Sequence, residues 1–343
     1  MQVFINTIGV SLRVKDRVLS IRKPNEPKEK DQHVALSKIK TLCIVRGVTL
    51  STDVLLVAAE CDVDVVFVER NGQPVARLWS GKFGSIATIR KQQLLFSQSA
   101  ATTRWVREQL TEKINAQIAL IVSLAKPDTE GIVSSTAEKM RALAERMTQD
   151  APDNMPLNDA GAQLRASEAA AAKMYWRALS ACLPPQYRFS TRSQHPAQDM
   201  FNGMLNYAYG MLYSKIETAL IKAGIDPAIG IFHRDEYNRP VMVYDVIERF
   251  RPWADYVVAY LCRQEVVFIE FFDVKGETFR LNDHGKRILI QTLADYFDEV
   301  TRYRNNDRSR DTHIELFAYA LASMFKEGRW SSEFGTRTID VGL

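Results

Sequence analysis

The stretch VDVVFVERNGQPVARL, residues 63–78, divides the chain into two textures. Val63 to Val68 is rich in β-branched and aromatic residues, and Pro74 to Leu78 returns after Asn71-Gly72. Both turn residues tolerate the positive φ that a tight hairpin needs, so the stretch predicts two antiparallel strands. Upstream, the pattern is of the same kind. Val3-Phe4-Ile5 leads to a break at Thr7-Ile8-Gly9, and Leu12 to Val14 turns at Lys15-Asp16 into Val18 to Ile21. Ile39 to Val45 stops at Gly47, a short amphipathic helix is predicted over Asp53 to Cys61, and the polar segment Pro24 to Gln32 reads as a loop tip.

Downstream of Ser85 the period changes. Apolar residues recur at helical spacing from Ile86 to Ser123, a length too great for strands. Further helices are predicted over Ser134 to Met147, Gln163 to Leu183, Gln198 to Ala223 and Val241 to Arg251, then on to about Lys326. A loop holding Pro152 and Pro156 separates the second and third, Pro184-Pro185 stops the third, and Gly224 ends the fourth. The expected fold class is α+β: a small, mainly β domain (1–84) followed by a larger all-α domain (85–343).

The 343 residues are 46% hydrophobic and 25% charged, an ordinary globular composition with a formal charge of +4. Four scattered cysteines form no CxxC and read as small buried hydrophobes in a reducing compartment. No apolar run approaches the ~18 residues of a membrane span and no signal peptide opens the sequence, so a cytoplasmic protein is expected. Basic residues cluster in two runs. Arg77, Lys82, Arg90, Lys91, Arg104 and Arg107 have no acid among them, and Arg302, Arg304, Arg308 and Arg310 have only Asp307. Trp79, Phe83, Trp105 and Tyr303 are interleaved, as on surfaces that meet nucleic acid, although solvated helix faces give the same pattern.

The chemistry gathers around three segments. His233 is followed at twelve and fifteen residues by Asp245 and Glu248, which lie three apart and project from one helical face. They lie off the Val243, Ile247, Phe250 stripe, so a solvated face and a metal site both fit them. An imidazole with two carboxylates is a donor set for Mg2+ or Mn2+. Glu168 shares a stripe with Ala171, Ala172, Tyr175 and Leu179, where a buried carboxylate needs a cation, or lies at the stripe's edge beside Arg165 or Lys173. There is no P-loop, GxSxG or HExxH pattern, so nucleotide hydrolysis and acyl transfer lack support.

Longer motifs carry a resemblance. Ser167-Glu168-Ala169-Ala170-Ala171 runs on to Tyr175-Trp176, and Asn202-x-x-Leu205-Asn206-Tyr207-x-Tyr209 follows. Then come Ala223-Gly224-Ile225-Asp226-Pro227-x-x-Gly230-x-x-His233 and Val243-Tyr244-Asp245-x-x-Glu248-x-Phe250-Arg251-Pro252. In this order the series resembles the CRISPR-associated spacer-acquisition endonuclease family, the integrase called Cas-one, over nearly the whole chain. The resemblance implies a metal-dependent DNA integrase that inserts short foreign fragments (spacers) into a CRISPR array by 3′-hydroxyl attack on the repeat backbone. By position it implies Glu168, His233, Asp245 and Glu248 as catalytic residues, with Glu168, His233 and Glu248 holding Mg2+ or Mn2+. Many members carry Asp where this chain has Glu248, so Asp245 and Glu248 compete for the third ligand position. The implied partners are double-stranded DNA, a second copy of the chain through the β domains, and a small ferredoxin-like protein (Cas-two) bridging two dimers. The two basic runs would then be DNA-backbone surfaces. A structure-selective repair nuclease and a non-catalytic DNA-binding scaffold are the other readings.

Overall fold

A computed structural model describes residues 2–69, 74–78, 86–233, 239–303 and 306–328. The chain divides into two compact units, Met1–Gly84 and Ser85–Leu343.

The first unit holds β1 (Gln2–Ile5), β2 (Ser11–Lys15), β3 (Val18–Arg22), β4 (Gln32–Ala35), β5 (Thr41–Val45), β6 (Thr49–Leu50), α1 (Thr52–Glu60), β7 (Asp64–Val68) and β8 (Pro74–Arg77). One sheet has the order β1-β5-β7-β8 and the other β4-β3-β2-β6. In the first, β1, β5 and β7 run parallel and β8 returns antiparallel on β7. The hairpin pairing expected of residues 63–78 is therefore present, while Asn71 and Gly72 lie outside the described residues. In the second sheet, Asp16 and Arg17 both take positive φ (52° and 59°) between β2 and β3, the conformation a two-residue hairpin turn requires. β5 is buried along its centre. Leu42 and Ile44 join Leu12, Leu19, Val65 and Val54 in a core shared by both sheets and α1, while Cys43 packs with Val66 and Val68. Burial on both faces is why β5 and β7 read as continuous apolar runs.

The second unit holds α2 (Ile86–Ser97), α3 (Ala101–Leu124), α4 (Glu130–Asp150), α5 (Leu157–Cys182), α6 (Met200–Lys222), α7 (Val241–Ile247), α8 (Arg251–Arg263), β9 (Phe272–Lys275), β10 (Thr278–Leu281), α9 (Asp283–Asp298), β11 (Val300–Tyr303), β12 (Asn306–Ser309) and α10 (Arg310–Glu327). The expectation of an all-α domain is corrected here. Two antiparallel hairpins, β9–β10 and β11–β12, interrupt the helices. Gly276 takes positive φ (57°) at the tip of the first, and Phe272 and Leu281 bury their side chains in the helical core. The single helix expected over 241–251 is also divided. Pro252 has no N–H and crowds the carbonyl four residues earlier, so the ladder breaks at Glu248–Phe250 and α8 restarts with Pro252 in its first turn.

Gly224 closes α6 as expected, with a positive φ of 83°, and at the other end Asp199 caps the helix by accepting from the Asn202 N–H at 2.7 Å. Cys43, Cys182 and Cys262 are buried free thiols as expected, while Cys61, at the end of α1, is only half-buried. No helix among the described residues is long and apolar enough to cross a membrane.

Candidate active site

The loop before α7 is fixed first. Gln93 of α2 accepts from the Asp226 N–H at 2.9 Å and donates to the Asp226 and Ile229 carbonyls at 2.8 and 3.0 Å. The Met242 N–H donates to the Pro227 carbonyl at 2.9 Å, tying the loop to α7. Gly230 is required by close approach: a Cβ there would lie 2.7 Å from the His233 carbonyl oxygen and 2.9 Å from the Val241 side chain.

Asp245, on α7, fills the loop from inside. Its Oδ2 accepts from the Ile231 N–H (2.6 Å) and the Phe232 N–H (3.1 Å), and its Oδ1 from the His233 N–H (2.9 Å). The same Oδ1 lies 2.7 Å from His233 Nδ1. An ionised carboxylate only accepts, so Nδ1 carries a proton in either form of the ring, and in the neutral imidazole Nε2 presents its lone pair. Burial lowers the imidazole's proton affinity, but the bond to Asp245 and the charges of Asp245, Glu248 and Glu168 outweigh it and raise the His233 pKa above 6.5.

One helical turn on, Glu248 behaves differently. It is 4% exposed and faces two cations. Arg251 Nε lies 2.7 Å from Oε1, and the Lys113 ammonium donates to Oε2. The same ammonium donates to Glu168 Oε1 at 2.6 Å. Glu168 thus pairs with Lys113 of α3, not with Arg165 or Lys173 on its own helix. Burial pushes the Glu248 carboxyl up, yet Arg251 and Lys113 hold it well below the usual carboxylate range. Lys113, itself buried, is held charged by Glu248 and Glu168. Behind this cluster, Arg251 Nη2 donates to the Tyr213 hydroxyl at 2.9 Å and lies over the Tyr209 ring. Tyr209 and Tyr175 then donate to the two oxygens of Asp255 at 2.7 and 2.8 Å.

The four site residues expected from sequence thus come together around α3, α5 and α7 of the second unit. Asp245 and Glu248, expected off the apolar stripe, are both buried, because α7 buries nearly its whole circumference. Among the described residues, no three His, Cys, Asp or Glu side chains converge at ligand distance on one point. Lys113 occupies the space between the glutamates instead. Sequence reasoning missed it, although a signal exists. Val106, Leu110, Lys113, Gln117, Leu120 and Leu124 recur at alternating spacings of four and three, placing a lysine on a buried stripe. Asn202 and Asn206 serve a different purpose: with Arg192 they pin the segment Thr191–Gln194.

The basic runs are largely consumed inside the molecule. Arg77 pairs with Asp64 (3.5 Å), Arg90 with Asp226 (3.7 Å) and Arg104 with Glu108 (2.8 Å). Arg107 is buried against Asp153 and the Ala151 carbonyl. Arg310 is buried against Glu299 and lies over the Tyr296 ring. Trp105 is buried against Phe96. Lys91, Arg302 and Arg308 are exposed, while Trp79, Lys82, Phe83 and Arg304 lie outside the described residues. Among the described residues, then, five guanidinium groups of the two runs face acids: Arg104 within its own helix, Arg77 across a hairpin, Arg310 eleven residues back, and Arg90 and Arg107 across long stretches of sequence.

Comparison with known proteins agrees with this architecture. The sequence matches the family described as CRISPR associated protein Cas1 over residues 3–295. It is 25% identical over 342 residues to CRISPR-associated endonuclease Cas1 1 of Archaeoglobus fulgidus, covering 96% of this chain and 97% of that protein. The fold is similar to that of a casposase bound to integration product, with a TM-score of 0.76 at 17% identity, covering 100% of this chain and 96% of the other. It also resembles part of a Cas6-RT-Cas1–Cas2 complex, with a TM-score of 0.77 at 17% identity, covering 100% of this chain and 36% of the longer one. The chain belongs to the Cas1 family of CRISPR-associated proteins.

Proposed function

We propose that this protein is a metal-dependent DNA endonuclease and integrase of spacer acquisition, joining the 3′ hydroxyl of a short DNA fragment to a phosphodiester of the CRISPR repeat. The observation that carries this reading is the convergence of Glu168 and Glu248 on one cation beside an imidazole oriented by Asp245. Two carboxylates already gathered on a single positive charge, with a nitrogen lone pair at hand, suit a hard or borderline divalent ion. Glu168, His233 Nε2 and Glu248 would hold it. Both Asp245 oxygens already serve backbone N–H groups and the ring, which supports Glu248 as the third ligand and Asp245 as the group that orients His233. Bound there, Mg2+ or Mn2+ would offset charge developing on phosphate oxygens and lower the pKa of the attacking hydroxyl. Arg251 keeps Glu248 ionised, and the Asp245 carboxylate keeps the proton on Nδ1. In the transfer a new 3′ O–P bond forms, the repeat strand's P–O bond breaks, and that strand leaves with its own 3′ hydroxyl.

The partners follow from the family: double-stranded DNA, a second copy of the chain through the first unit, and a Cas2-type protein bridging two dimers. The shared fold with part of a Cas6-RT-Cas1–Cas2 complex supports the last. Half-site integration of a labelled duplex into a repeat substrate tests the reading. Joined strands are expected with Mn2+ or Mg2+, with a loss of about a hundredfold or more in Glu168→Ala and His233→Ala. Full activity in either variant would sink the assignment. Shortened strands alone would mean a hydrolytic nuclease, and DNA binding without any product a scaffold.

A further inference from the structure

Lys113 is a buried ammonium that bonds both glutamates, one on α5 and the other at the end of α7. Its backbone is fixed by α3, whose stripe of Val106, Leu110, Leu120 and Leu124 is locked in the core. Only the four-carbon stem can move. Glu248 gives Oε1 to Arg251 and Oε2 to Lys113, and Glu168 gives Oε1 to Lys113. A divalent ion entering between the glutamates therefore meets two oxygens, Glu168 Oε1 and Glu248 Oε2, that the Lys113 ammonium already engages. Two carboxylates drawn to one point, one buried and one half-buried, also repel unless a cation lies between them.

We propose that Lys113 is a resident counter-ion of this site, holding Glu168 and Glu248 together in the metal-free protein and competing with the incoming divalent ion for the same oxygens. This rests on the metal-site reading above. Two opposed effects follow from removing the charge while keeping the stem's bulk. The metal-free protein becomes less stable, because the glutamates lose their shared cation. Divalent-ion affinity rises, because nothing has to be displaced and the site carries one more net negative charge. A lysine that merely oriented the ligands would give the opposite sign for affinity.

The test is a titration of the full-length protein with Mn2+, following free Mn2+ by electron paramagnetic resonance, in wild type, Lys113→Met and Glu168→Gln, and in the double variant. The inference expects Kd in Lys113→Met to fall by about tenfold or more, equivalent to ~1.4 kcal/mol, with Glu168→Gln abolishing the gain. It also expects a lower thermal midpoint for Lys113→Met in chelator and a larger rise on adding Mn2+. Equal or weaker Mn2+ binding in Lys113→Met, with binding still lost in Glu168→Gln, overturns the counter-ion role and leaves the metal site standing. Binding indifferent to Glu168→Gln in both backgrounds overturns the site reading and the inference together. Should Lys113→Met fail to fold, Lys113→Gln, which keeps an uncharged N–H donor on a stem one bond shorter, gives the same comparison.

Discussion

Glu248 and Asp255 are both almost wholly buried, seven residues apart with Arg251 between them, yet their environments move them in opposite directions. Glu248 meets cations, and Arg251 and Lys113 overcome the burial that would raise its pKa. Asp255 meets neutral donors. Burial dominates there, and the hydroxyls of Tyr209 and Tyr175 with the more distant Arg251 and Arg192 offset only part of it, leaving a pKa raised from 3.8 to about 6. Burial alone thus does not decide the charge of a carboxylate; what faces its oxygens does. The front site keeps a negative charge available to a cation across the ordinary pH range. The rear site braces α5, α6 and α8 through Tyr175, Tyr209 and Asp255 and takes up its proton only near pH 6.

Three experiments press on that difference. The largest effect is expected from Glu248→Ala, which leaves Lys113 with one carboxylate and Arg251 with none. Urea unfolding in chelator should show a loss of about 3–5 kcal/mol, the usual result of removing one member of a buried ionic group. A loss under about 1 kcal/mol would mean the cluster is not buried in solution.

Next comes pH. Asp255 has a raised folded pKa, so its contribution to stability is complete below about 4, its unfolded value, and is lost as pH rises through about 6. The decline amounts to on the order of 2–3 kcal/mol. Glu248 runs the other way, because its lowered pKa gives stability that is present above 4.5 and lost as pH falls. In Asp255→Asn the decline between pH 4 and 7 should disappear, as read from urea midpoints at several pH values. An unchanged slope would refute the assignment of that decline to Asp255.

The smallest effect is expected at the third acid. Asp245→Asn replaces one acceptor oxygen with an N–H donor facing backbone donors or the ring. Mn2+ affinity should weaken by about 10- to 100-fold without reaching the total loss expected of a ligand. A complete loss would instead make Asp245 a direct ligand.

What the sequence made legible was local. The β7–β8 hairpin and the Gly224 stop depend on neighbours within a few residues, so propensity and turn chemistry suffice. The β9–β10 hairpin was legible in principle, since Phe272, Val274, Phe279 and Leu281 alternate around Gly276, but the surrounding helical texture hides so short an element. β11–β12 shows no such alternation. Family motifs singled out Glu168, His233, Asp245 and Glu248. How they meet needed the fold, because the partners come from far away: Lys113 is 55 residues from Glu168 and 135 from Glu248. The basic runs misled for the same reason, as Arg90 and Arg107 meet Asp226 and Asp153 only after the helices pack.

The three successive N–H groups of Ile231, Phe232 and His233 form a small anion receptor, and its occupant is a carboxylate the chain supplies itself, from a helix that enters the core. Gln93 holds the start of the loop, but these three N–H groups have this partner only while α7 is seated. A chain whose α7 has not seated lacks the carboxylate that aims the imidazole, so a partly folded molecule does not carry the finished arrangement.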